Sequence, residues 1–232
     1  MTWMDRLGLF TPLDFTAVAL LFSGWILIGL RIEMPGKQTS VSVLMAQYRR
    51  DWMEQMLTRD PRIFDSQILG ILRQGTAFFA SACMIAIGGA LALIGNAERL
   101  AGVANDLTLE DDPAFVWELK LVVIVLLVVN AFLKFVWSHR LFGYCAVIMA
   151  AVPNDPDDPA ARPRAVKAAE LNITGARSYN RGLRSIYFAM AATAWLLGAV
   201  ALIIATLLTL AVLWRREFAS RSREALLAPE TG

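Results

Sequence analysis

Three polar side chains, Asn130, Lys134 and Ser138, recur every four residues within an otherwise apolar stretch of this 232-residue chain. On a helix, positions i, i+4 and i+8 lie on one face. If that face is turned inward among other helices in hydrocarbon, the stripe could bind an anion or relay a proton, since polar groups are costly there. A plainer reading is available for each residue. Lys134, like Lys120 at the other end of the same stretch, lies close enough to the stretch's end to reach the membrane interface. Asn130 can hydrogen-bond a neighbouring helix.

A second set of residues flanks the apolar runs. Arg73 and Gln74 precede one run, Arg140 follows another, and Asn180, Arg181 and Arg184 precede the last. Arg73, Arg140, Asn180 and Arg184 are candidate contacts for anionic lipid head groups, or for an anion held between them. His139 is the sole histidine, which excludes bis-histidine haem ligation, an HExxH site and a multi-histidine metal centre. Its place beside Arg140 reads as an interfacial side chain. Cys83 and Cys145 lie in apolar stretches, form no CxxC and read as small buried hydrophobes. There is no Walker loop and no GxGxxG after a strand-like run. No nucleophile, base and oxyanion donors converge in any pattern, so neither catalysis, nor a cofactor, nor a metal is expected. No Asp or Glu falls deep in an apolar run, which argues against a carboxylate proton relay.

The elements that must carry these residues follow from composition. Hydrophobic residues make up 57% and charged residues 18%, and mean hydropathy is +0.52. A soluble domain of this size could not bury that much apolar surface. The expectation is an all-α, polytopic integral membrane protein with the bilayer as its first partner. A net charge of +2, with basic residues in two loops and a tail, excludes a nucleic-acid surface.

Four runs approach the roughly 20 residues a helix needs to cross hydrocarbon: 13–30, 76–95, 115–137 and 186–214. Pro12 and Pro113 are placed as helix starts, and Pro35-Gly36 as a stop. The first run is too long for a signal peptide and is expected to stay as a span. The last, uncharged for 29 residues, is read as one long tilted helix. Together they form a single domain over 10–215, followed by a polar tail, 216–232.

Loop charge sets the orientation. Residues 31–74 hold seven Lys and Arg, and residues 134–185 hold eight; the connector 96–114 holds Arg99 and the acids Glu98, Asp106, Glu110, Asp111 and Asp112. The two long loops are therefore expected in the cytoplasm and both termini outside, in a bacterial inner membrane. The tail arginines Arg215, Arg216, Arg221 and Arg223 oppose this arrangement. It places Trp117 and Trp214 at the outer interface and Trp137 at the inner.

Both loops carry helical patterns. In 40–59, Val41, Leu44, Met45, Tyr48, Trp52 and Met56 share a face, suited either to the membrane surface or to packing on the other loop. A proline-rich break, 153–163, precedes a second helix, Arg164 to Arg184. The sequon Asn172-Ile-Thr174 carries no meaning on a cytoplasmic loop. Ala82, Ala86 and Ala90 line one span with small residues, and Ala194, Gly198, Ala201 and Ala205 another, which invites close helix contact. An offset of 109 residues aligns Gly89–Ile94 with Gly198–Ile203, the signature of a possible internal repeat of span, basic loop and span.

Three segments carry a family resemblance. They are FDSQILGILRQGTAFFAS from Phe64 to Ser81, KFVWSHR from Lys134 to Arg140, and NRGLRSIYF from Asn180 to Phe188 with Trp195 beyond it. In this order they resemble the bacterial and plant membrane proteins grouped as domain of unknown function 599, over about residues 10 to 215. The resemblance implies four spans, no established activity and no catalytic residues. It makes Arg73, Arg140, Asn180 and Arg184 part of a family pattern. The expected function is a structural or accessory component of a membrane assembly, as a homo-oligomer or with a membrane-protein partner. The alternative is a small oligomeric transporter or channel for an anionic or amphipathic solute.

Overall fold

The computed structural model describes residues 8–98, 102 and 113–229, and every regular element among them is helical. Helix α1 is Pro12–Glu33. Helix α2 is Val41–Gln55, continued by a 3₁₀ turn, Met56–Thr58. Helices α3, α4 and α5 are Ile63–Ile94, Ala114–Ala150 and Ala161–Thr193. A second 3₁₀ turn, Ala194–Leu197, leads to α6, Ala199–Phe218, and α7, Arg221–Leu227. Four helical stretches are long and apolar enough to cross a membrane: Pro12–Glu33, Ile63–Ile94, Ala114–Ala150 and Ala199–Leu227. At 1.5 Å per residue α3 and α4 reach about 48 and 55 Å, well beyond a hydrocarbon core of about 30 Å. Of the acidic connector, Asp106, Glu110, Asp111 and Asp112 lie outside the described residues, as does Arg99.

The expectation of one helix across 186–214 is corrected. Gly198 adopts φ 111° and ψ 168°, and its N–H closes the 3₁₀ turn onto the Trp195 carbonyl at 3.0 Å. Side chains with a Cβ rarely adopt that backbone region, so glycine permits the chain to reverse there. Gly198 therefore does not sit on a continuous small-residue helix face with Ala194, Ala201 and Ala205. The 109-residue offset pairs it with Gly89, which lies inside the unbroken α3.

The chain packs as two compact units. The first comprises Met1–Arg31, Ala82–Ala131 and Leu183–Trp214. Within it the start of α1 meets the end of α5, where the Trp195 indole N–H donates to Asp14 Oδ1 at 2.7 Å. The other end of α1 meets the opposite end of this segment, because a Cβ on Gly29 would lie 3.7 Å from Arg184 Nε. The end of α5 thus runs antiparallel to α1. Helix α6 runs parallel to α1, with Leu210 against Gly24 and Trp214 beneath the Arg31 guanidinium at 5.8 Å. Trp214 consequently lies at the end of α1 that leads into the first long loop, whereas Val116 and Lys120, beside Trp117, line a cavity with Thr11 and Asp14 at the other end, so the two tryptophans do not share one end of this unit. The end of α5 is the inner helix of this unit: Phe188, Ala189, Ala192 and Trp195 are all buried. Its small side chains allow close packing, and facing protein it needs less apolar surface than a lipid-facing span.

The second unit comprises Ile32–Ser81, Phe132–Gly182 and Arg215–Gly232. It has its own apolar core, with Met53, Met56, Leu69, Phe142, Cys145, Met149 and Ala165 buried. Gly175 and Gly182 bring α5 close to α4: a Cβ on Gly182 would stand 2.7 Å from the Phe135 ring and one on Gly175 3.0 Å from Phe142. Of the two faces open to α2, packing on the second loop is the one observed. Arg50 pairs with Glu170 at 2.9 Å, Arg162 with Glu54 at 2.8 Å, and Arg49 donates to Asn172. The sequon residue Asn172 is fully buried in this contact. The C-terminal tail belongs here too. Arg223 Nε donates to the Thr39 carbonyl at 2.9 Å, and Ser42 donates to Glu217. The tail therefore lies beside the first long loop, a contact that the basic residues of the tail did not reveal.

Candidate functional site

Ser138 is fully buried and donates its hydroxyl to the Gly175 carbonyl at 2.7 Å. Ser178 makes the reciprocal contact, donating to the Lys134 carbonyl at 2.9 Å. Two hydroxyls thus join α4 to α5 where the glycines of α5 bring the backbones together. Asn130 and Lys134 are half-buried on the same helix. The hydroxyl of the expected stripe is thereby engaged in helix packing.

The four interfacial candidates occupy different settings. Arg140 is exposed and donates to the Tyr144 hydroxyl one turn on, with its guanidinium 5.5 Å from that ring's centroid. Asn180 donates to Ser42 Oγ at 3.4 Å. Arg184 is buried in the first unit, against Gly29. Arg73 lies 3.5 Å from His139 Nε2. Thr76 completes this last group, donating to the Arg73 carbonyl at 2.6 Å while its oxygen lies 3.1 Å from His139 Nδ1. Imidazole with its proton on Nδ1 satisfies all of these contacts, accepting from Arg73 at Nε2. His139 is therefore a link between α3 and α4, a role its position beside Arg140 did not reveal.

Electrostatics in the second unit centre on Asp65, Arg181 and Arg49. Asp65 is fully buried and accepts from the Trp52 indole at 2.7 Å and from Arg59. Hydrogen bonds from Arg181 to Glu33, the shorter Nε contact at 2.9 Å, push the Arg181 pKa up from its ordinary value. Burial pushes that of Arg49 down. Helical spacing placed Trp52 on the apolar face of α2, but no local signal names Asp65 as its partner.

In the first unit a cavity of about 320 Å³ lies at the Gly198 turn, lined by Asp14, Lys120, Thr11 and Val200 among others. Lys120 is buried, with its ammonium 4.8 Å from the Trp117 ring. Asp14 closes a capping box with Thr11 at the start of α1, accepting from the Thr11 N–H at 3.0 Å while its own N–H donates to Thr11 Oγ1 at 3.2 Å, besides its bond to Trp195. Asp14 thus serves both the start of its own helix and a tertiary contact. Among the described residues no group of three or more His, Cys, Asp or Glu could hold a metal.

Helices of this length and apolarity, with charged and aromatic residues at their ends, define a polytopic α-helical membrane protein. The family described as protein of unknown function, DUF599, matches residues 16–222, and the chain belongs to it. No curated protein and no solved structure matches.

Proposed function

We propose that the protein is a structural or accessory component of a membrane assembly, acting through helix contacts rather than through catalysis. The observation that carries this reading is the exposure of α3. Only 6% of its apolar window is buried inside the chain. Its exposed surface includes Ala82, Ala86, Gly88 and Gly89, and a Cβ on either glycine would meet nothing within 4 Å. Small residues on a lipid-facing helix let a second helix approach closely. Its partner is a second copy of the chain or another membrane protein. Native mass and co-purifying chains, measured on protein extracted gently from its own membranes, test this. Gly89→Leu should release the partner and leave insertion intact. A wild-type protein that runs as a single copy with nothing bound would overturn the reading.

We also infer the topology. The tail's hydrogen bonds to residues 39 and 42 support a common side for the tail and both long loops. That side then holds nineteen of the chain's 22 Lys and Arg, which the positive-inside rule makes cytoplasmic. The reversal at Gly198 supports a fifth crossing, short and protein-facing, by the end of α5. The N-terminus is then outside and the C-terminus inside. Helical spans rather than a barrel favour a bacterial inner membrane. The transporter alternative has no specific observation in its favour.

A further inference from the structure

A cavity of about 290 Å³ opens between the N-terminal part of α3 and the C-terminal part of α4 in the second unit. Its walls are of two kinds. Met56, Leu69 and Met149 line it with apolar side chains, and Arg62, Arg73 and Asn154 with polar ones. Arg62 is held in place by the last carbonyls beyond α4, donating to Val152 at 2.7 Å and to Pro153 at 2.6 Å. These bonds fix the guanidinium without supplying a negative charge. Its Nε is buried with no hydrogen-bond partner. The Arg73 guanidinium lies 3.5 Å from His139 Nε2, which likewise supplies no negative charge. Among the described residues, neither arginine has a carboxylate within ion-pairing distance, whereas Arg50, Arg59, Arg162 and Arg181 each have one.

Two guanidiniums and an apolar lining match an anion that carries an apolar body. Guanidinium forks bind phosphate oxygens with charge-assisted hydrogen bonds. The position along α3 narrows the source. Arg73 stands three residues before Thr76, where the uncharged run of α3 begins, which is head-group level. Ile71 on α3 and Val147 on α4 are two-thirds exposed nearby, and an acyl chain would cover such side chains. We propose that this cavity binds the phosphate group of an anionic phospholipid from the surrounding leaflet, with Arg62 and Arg73 as its ligands. The site is independent of the assembly reading, which concerns another stretch of α3.

The test uses the full chain in nanodiscs of phosphatidylcholine mixed with phosphatidylglycerol, with retained lipid read by native mass spectrometry. Wild type should retain phosphatidylglycerol in preference to phosphatidylcholine. Arg73→Gln should weaken that retention roughly tenfold, the worth of one charge-assisted contact. Gly70→Leu provides a variant that keeps both arginines. Gly70 lines the cavity, a Cβ there meets nothing within 4 Å, and leucine improves helix propensity, so the side chain should fill the space without unfolding the protein. It should lower retention to a similar degree, while Lys167→Gln, on the exposed surface of α5, should not. Equal retention of the two lipids, or wild-type retention in both Arg73→Gln and Gly70→Leu, would overturn the proposal. Displacement of the lipid by millimolar inorganic phosphate would overturn the lipid assignment and mark a site for soluble phosphate.

Discussion

Ser42 donates both its backbone N–H and its hydroxyl to the Glu217 carboxylate, each at 3.0 Å. One residue belongs to the start of α2 and the other to the end of α6, 175 positions later. Asn180 adds a donor to the same serine, and Gln38 donates to the Phe218 carbonyl at 3.4 Å. The C-terminal end of α6 is tied to the first loop by a cluster of polar contacts, not by a single one.

This cluster makes topology testable. Gly36→Cys and Ala228→Cys place thiols at exposed positions in the loop and the tail, while native Cys83 and Cys145 are buried. A membrane-impermeant maleimide should label both new thiols in inverted vesicles and neither in right-side-out ones. Labelling of the two in opposite preparations would rule out the shared side.

Gly198→Ala should destabilise the protein by about 1–3 kcal/mol, the cost of a non-glycine residue in that backbone region. The surroundings are open, so Gly198→Leu should cost about the same as alanine. Thermal unfolding in detergent measures both. A wild-type midpoint in the alanine variant would remove the backbone argument, and a far larger cost for leucine would point to crowding instead.

Gly182→Ala tests the α4–α5 contact. The added Cβ would press on the Phe135 ring, which stacks on Phe79 at 5.3 Å and meets Tyr179 at 5.5 Å, so the ring has little room to yield. A loss of about 1–3 kcal/mol is expected. Gly143→Ala, with nothing within 4 Å of its Cβ, should be neutral or slightly stabilising. Equal behaviour of the two variants in a denaturation series would contradict the close packing.

Asp65→Asn removes a buried charge that accepts from Trp52 and Arg59 while keeping the shape. The Arg59 side chain is about one-third exposed, so water offsets part of the loss. A destabilisation of about 2 kcal/mol is expected. Near-UV circular dichroism should also report a changed Trp52 environment. Wild-type stability would mean that Arg59 and the indole find equivalent partners without the carboxylate.

The long apolar runs, their flanking prolines and the basic loops were legible in the residue order because each is a local property. Hydrocarbon demands about 20 apolar residues in a row, and a helix satisfies its own backbone, so α1, α3 and α4 needed no tertiary knowledge. The run 186–214 misled for the same reason. Its hydropathy is uniform, and nothing in a hydropathy pattern distinguishes a glycine inside a helix, such as Gly89, from one at a reversal, such as Gly198. The reversal also brings Trp214 beside Arg31 at the far end of α1, where one straight helix would not place it.

Chain order alone thus determined that this is a helical membrane protein with basic ends to its spans, since burial of apolar side chains and local backbone preference act along the chain. Tertiary structure decided which polar groups meet. Ser138 reaches a carbonyl of α5, His139 links α3 to α4, Asp14 anchors Trp195, and Arg62 and Arg73 face one cavity. Hydrogen bonds and ion pairs of this kind act over a few ångströms between residues tens to nearly two hundred positions apart. Their partners are therefore set by how the helices pack, and spacing within any one helix does not encode them.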